Sequence, residues 1–126
     1  MKALEYGLMG YAETMVVESN LARTMKSGSL DVFATPAMCA LMEEAACNCI
    51  CDSLDCSQSS VGTVLNVCHD RATAVGRKIK ASAKLVKVDG HKLIFEVSAE
   101  DMYGPIGWGT HERFIIDIER FMNRLR

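Results

Sequence analysis

Acyl transfer to water needs a base that works near neutral pH, a carboxylate to orient that base or activate water, and donors for the oxyanion that forms. This 126-residue chain offers a candidate for each part. His69 carries an imidazole whose ordinary pKa lets it accept a proton near pH 7. Glu43 stands in an otherwise apolar segment, where a carboxylate is costly to bury unless it is paired or functional. Thr35 precedes Pro36, which places its hydroxyl at the start of a helix. There, free N–H groups and the helix dipole favour developing negative charge. Each residue also has a plain structural role. Thr35 reads as an N-cap worth about 1 kcal/mol, His69 as a satisfied histidine at a strand end, and Glu43 as a paired helix carboxylate.

Spacing adds a constraint. On one helix, Thr35 and Glu43 are eight residues, or about 12 Å, apart along the axis, so their side chains do not touch. Either His69 reaches between them, or a second subunit's antiparallel helix brings its own glutamate to this threonine. The second arrangement, with a site at a dimer interface and two sites per dimer, is the one favoured. The remaining polar groups read as structure. Glu44, about 100° further round the helix, faces solvent. His91 beside Asp89-Gly90 is solvated, and His111 joins Glu112 and Arg113 in an ion-pair network. Arg71, Arg77 and Lys78 form a solvated basic face in preference to a phosphate contact.

Six cysteines stand at 39, 47, 49, 51, 56 and 68. The C-x-C-x-C of Cys47, Cys49 and Cys51 lacks the paired C-x-x-C or C-x-x-H spacing of zinc sites, so no metal is expected. No apolar leader segment is visible in MKALEYGLMGYAETM, which predicts a cytoplasmic protein with reduced thiols. The cysteines then read as small buried apolar filler.

The elements that must position these groups follow from pattern. Residues 11–18 (YAETMVVE) read as a strand, and the polar, glycine-containing stretch 19–31 as a loop. Ala34-Thr35-Pro36 opens a helix over 36–52, with Thr35 as N-cap and Pro36 at the first helical position. That helix is apolar on nearly all sides, so other structure must wrap it. Residues 61–69 form a strand, and 79–85 alternate strictly into another. Asp89-Gly90 supplies a two-residue hairpin turn before a return strand to residue 100. A last strand over 106–116 carries Gly107 and Gly109, which suggest a bulge or a close backbone approach, and 117–125 finish as a short helix. One strand, one buried helix and four hairpin-linked strands predict an α+β fold, a curved antiparallel sheet rolled around the helix. Its edge strands invite dimerisation by sheet extension.

Composition bounds the rest. The length suits a single domain over 1–126, able to bury roughly two-thirds of its unfolded surface. A formal charge of −2 argues against nucleic acid or an anionic membrane as partner. The longest apolar run, 37–42, is far short of the about 18 residues a membrane span needs.

Particular motifs then align with a known family. Val32-Phe33-Ala34-Thr35-Pro36 leading to Leu41-Met42-Glu43 is one, and Val61-Gly62-Thr63 leading to His69 is another. With Val88-Asp89-Gly90 and Gly109-Thr110-His111-Glu112-Arg113, they resemble the fluoroacetyl-CoA thioesterase-like family of hot-dog proteins over about residues 11–121. The resemblance implies a homodimeric hydrolase of short or medium acyl-CoA, with higher oligomers open and no cofactor beyond the coenzyme A of the substrate. Its catalytic Thr, Glu and His fall on Thr35, Glu43 and His69, and its substrate-binding positions on Gly62 and Arg113. One departure stands out. Fluoroacetyl-specific members carry aromatic residues before the Phe-Ala-Thr segment, where this chain has Lys26-Ser27-Gly28-Ser29-Leu30, so fluoroacetyl specificity is not implied. A binding dimer without turnover and a thiol or metal protein are the competing readings.

Overall fold

Strict alternation builds the floor of the molecule. Ile79, Ala81, Ala83 and Leu85 on β3 (Lys78–Asp89) are buried, as are Leu93, Phe95, Val97 and Ala99 on β4 (Lys92–Asp101). The intervening residues face outward, as period two requires. In this computed structural model, which describes residues 2–126, the two strands pair with Ala81 opposite Ala99 and Ala83 opposite Val97. β5 (Gly104–Asp117) continues the sheet from β4, while β1 (Met9–Met15) and β2 (Gln58–His69) form its two edges. The order is β1-β3-β4-β5-β2, antiparallel at every pairing. Register shifts at Gly62/Val64, Leu85/Lys87 and Ala99/Glu100 bend the strands, which is how a sheet curls around a helix.

Helix α2 (Thr35–Ile50) lies in that curl. Met38, Leu41, Met42, Ala45, Ala46, Cys49 and Ile50 are its buried residues, spread around more than one face as the all-apolar pattern requires. Small residues let it approach closely. At Gly10 of β1, any Cβ would run into the backbone of Ala45 and Cys49 on the helix. A short helix, α1 (Ala22–Met25), and a 3-10 turn (Glu18–Asn20) fill the segment that reads in sequence as loop. Helix α3 (Ile118–Asn123) closes the chain, capped by the Asp117 side chain on the Arg120 N–H.

Several expectations shift. β1 runs 9–15 rather than 11–18, and β2 begins at Gln58 rather than residue 61, because Gln58 pairs with Asp117 on β5. α2 ends at Ile50 and passes into a 3-10 turn (Cys51–Ser53). The N-cap is Ala34, with φ −73° and ψ 139°, and no side chain caps the helix. Thr35 is therefore the first helical residue and its hydroxyl is released for another partner. The β3–β4 loop consists of Gly90 and His91, since Asp89 still pairs with Lys92. Gly90 takes φ +62°, the glycine-first form of a tight turn. Gly107 and Gly109 mark close approaches, where a Cβ would strike the Cys68 and Asn66 carbonyls of β2. Cysteine as buried filler holds for Cys49 alone. Cys51 and Cys56 are exposed, Cys39, Cys47 and Cys68 are half-buried, and all six are free thiols.

Candidate active site

The released Thr35 hydroxyl finds His69. Its Oγ1 lies 2.8 Å from His69 Nδ1, joining the first turn of α2 to the end of β2 across 34 residues of sequence. His69 Nε2 is buried and has no hydrogen-bond partner among the described residues. Burial of the ring pushes the His69 pKa below 6.5, against the opposing influence of the Arg71 backbone and of Asp70. The imidazole is thus neutral at pH 7 and free to take a proton. With Ala34 as cap, the first-turn N–H groups of Thr35 and Ala37 have no partner within the helix, and Pro36 has no N–H. N–H groups placed in this way can donate to a developing negative charge. A cavity of about 290 Å³ opens here, lined by Thr35, His69, Asp70 and Arg71 together with the small or apolar Ala22, Ser27 and Phe33.

A second cluster is built around Glu43, two turns along α2. Its side chain is 42% exposed, and Arg113 Nη1 donates to Oε2 at 2.9 Å. This is a paired carboxylate at the edge of the core rather than a deeply buried one. Arg113 is itself buried and heavily committed. Nε donates to Ser60 Oγ at 2.8 Å, Nη2 to the Ser60 carbonyl at 3.0 Å, and Nη1 also reaches His111 Nε2 at 3.1 Å. His111 Nδ1 is 2.7 Å from the Val64 carbonyl, an acceptor only, so Nδ1 carries the proton and Nε2 accepts from Arg113. Burial, joined by the Arg113 charge, keeps the His111 pKa below the ordinary value despite that hydrogen bond and the nearby carboxylates. Gly62 completes the cluster. A Cβ there would come within 2.5 Å of Glu43 Oε2, so only glycine lets the carboxylate lie against the strand.

The structure therefore brings Thr35 to His69, and Glu43 to Gly62 and Arg113, as two groups. It does not join them within one protomer, as the eight-residue spacing on a single helix requires. Sequence reasoning misses Ser60 and the locked His111 as members of the Glu43 cluster. Glu112, expected beside His111, points the other way to Lys92 at 3.2 Å. The basic group is not free either. Arg71 pairs with Asp101 at 2.6 Å, the Arg77 guanidinium lies 4.5 Å from the Tyr103 ring centroid, and Lys78 pairs with Glu13 at 2.6 Å. No trio of His, Cys, Asp or Glu side chains among the described residues is arranged to hold a metal.

Comparison with known proteins adds a second line of observation. The family model described as fluoroacetyl-CoA-specific thioesterase matches residues 16–119. The fluoroacetyl-CoA thioesterase of Streptantibioticus cattleyicolor is 40% identical over 96 residues, covering 76% of this chain and 69% of that protein. A solved structure of a fluoroacetyl-CoA thioesterase matches with a TM-score of 0.93 at 31% identity, over 99% of this chain and 97% of the other. A variant of such an enzyme in complex with acetyl-CoA gives 0.92 at 32% identity, over 98% and 97%. A thioesterase superfamily member from Thermus thermophilus gives 0.88 at 25% identity, over 99% and 95%.

Proposed function

The chain belongs to the fluoroacetyl-CoA-specific thioesterase family of hot-dog proteins, and from that premise we propose that it hydrolyses a short or medium acyl-CoA at a site shared between two subunits. It is a thioester hydrolase, an enzyme that releases a free acid and coenzyme A. One site takes Thr35 and His69 from one subunit and Glu43, with Gly62, from the other. The observation that carries this reading is the pair of half-sites, with the His69 Nε2 buried and unpartnered on one side and the half-buried Glu43 carboxylate, held by Arg113, on the other.

The chemistry follows from the donors. Water attacks the thioester carbonyl and loses its proton to His69, whose ring lies 2.8 Å from Thr35 Oγ1 and is kept neutral by burial, and the carbon–sulfur bond then breaks to leave the acid. The negative charge that develops on the carbonyl oxygen is met by the N–H groups of the first turn of α2. Glu43 of the partner subunit orients the imidazole or the attacking water, and the proton taken by His69 then leaves with the coenzyme A thiol. Arg113 acts on Glu43, since four of its contacts run to Glu43, His111 and Ser60 and hold the carboxylate in place. Two copies meet along β2, an edge strand of twelve residues with one side unpaired. Six free thiols fit a reducing, cytoplasmic setting. The residues between α1 and α2 are not aromatic up to Leu30, which stands exposed among them, and this supports acyl groups other than fluoroacetyl.

The test mixes two variants. Each of His69→Ala and Glu43→Gln alone should lower kcat by about 10²–10⁴ on a panel of acyl-CoA thioesters. A shared site predicts rescue on mixing after subunit exchange, because a heterodimer rebuilds one intact site of its two. Activity should return to roughly a quarter of the unsubstituted level. A mixture as inactive as its components places all three residues in one subunit. Unchanged turnover in both single variants removes their catalytic roles, and absence of turnover in the unsubstituted protein favours a binding dimer.

A further inference from the structure

Asp101 ends β4 with its side chain fully enclosed, at 0% exposure. Burying a carboxylate costs several kcal/mol unless its lone pairs are met, and here they are. Oδ1 accepts from Arg71 Nη2 at 2.6 Å and from the Tyr103 N–H at 2.8 Å. Oδ2 accepts from Thr73 Oγ1 at 2.8 Å and Arg71 Nη1 at 3.2 Å. The two side chains it holds lead in different directions. Arg71 follows His69 by two residues, and its guanidinium also donates to the carbonyls of Gly104 at 2.6 Å and Pro105 at 3.3 Å. The Asp70 and Arg71 N–H groups reach the Ile106 carbonyl at 2.8 and 3.3 Å. Thr73 leads the other way. Its carbonyl accepts the Phe33 N–H at 3.0 Å, Val32 bridges to Ala74, and Thr35 stands two residues beyond Phe33.

One buried carboxylate thus braces the chain on both sides of the Thr35–His69 contact. Arg71, 37% exposed, lines the same cavity as that pair. We propose that Asp101 is a positioning residue for hydrolysis, acting through Arg71 and Thr73 to set the distance and angle between Thr35 and His69. The proposal rests on the reading of that pair as the reacting centre.

The test uses Asp101→Asn, which keeps the shape and removes the charge, and Thr73→Val, which removes one of the two braces. Two quantities are read, kcat and KM separately, and the nitrogen resonances of His69 by NMR in the absence of substrate. Misplacing a reacting group by about 1 Å costs on the order of 10²-fold. Asp101→Asn should therefore lower kcat by about 10- to 100-fold, leave KM within a few-fold, and shift the His69 Nδ1 resonance as its bond to Thr35 weakens. Thr73→Val should move both readings in the same direction by less, and Thr73→Ser should restore them. Wild-type kcat with unmoved His69 resonances in Asp101→Asn overturns the proposal. So does a loss of rate equal to that of Ile79→Val at matched melting temperature, with the His69 signals unchanged. If Asp101→Asn does not fold, unmoved readings in Thr73→Val overturn it. Absence of turnover in the unsubstituted protein is a separate result that sinks the thioesterase reading, because the NMR arm needs no substrate.

Discussion

Thr35 reads in sequence as a helix cap, and the fold gives its hydroxyl to His69 instead. The two roles make different demands on a variant. Thr35→Ala should change stability by less than about 0.5 kcal/mol, where loss of a true cap costs about 1 kcal/mol. Its kcat should fall while Thr35→Ser keeps turnover, so thermal melts beside rate measurements decide the matter. The pH profile of kcat/KM should rise through an apparent pKa below 6.5, because burial favours the neutral ring, and that limb should vanish in His69→Ala. Thr35, Glu43 and His69, the proposed reacting groups, stand out in the sequence through the family motifs they fall on and through their settings: a carboxylate in an apolar helix, a threonine before Pro36, a histidine closing a strand. Ser60 is not, since it reaches Arg113 across 53 residues, and the tie of His111 to Glu43 is hidden too, because it runs through Arg113, which meets Glu43 across 70. Asp101 hides for a similar reason. At the end of a hairpin strand it reads as an ordinary polar terminus, and only the fold encloses it.

At the scale of elements, pattern is clearest where one face is buried. The alternation of β3 and β4, the hairpin between them and the all-apolar α2 are all visible in the order of residue types. Boundaries are less visible, because pairing and not propensity sets them. Gln58, Ser59 and Ser60 are poor strand formers held in β2 by β5. The sheet's contact with α2 at Gly10 is equally silent, since a lone glycine does not announce what lies against it. Its role is testable. Gly10→Ala drives a methyl into the backbone of Ala45 and Cys49, where no rotamer can yield. The expected loss is about 1–3 kcal/mol in urea unfolding, against a few tenths for Gly90→Asn at the exposed turn, a residue that tolerates positive φ.

The whole molecule carries a buried imidazole, His111, and a half-buried one, His69, whose folded pKa values both lie below 6.5. For a histidine so depressed, the unfolded chain binds more protons in the window between the two values, so stability rises with pH. It is fully present above about 6.5 and lost as pH falls through the folded values. Denaturant midpoints at pH 8, 6.5 and 5.5 should decline in that order, and the double variant His69→Gln, His111→Gln should flatten the slope. A slope of opposite sign would mean that the carboxylates around the rings dominate. The proposed sharing of the site between subunits has a further consequence for how such an enzyme is measured. If no protomer owns a complete set of reacting groups, specific activity is not a constant of the chain but a function of its concentration. Diluted below the dissociation constant of the pair, the same protein turns over less per molecule, and its rate scales with the square of the amount added. A copy that has lost both its histidine and its glutamate then silences both sites of the pair it forms, so damage in a mixed population spreads beyond the chains that carry it.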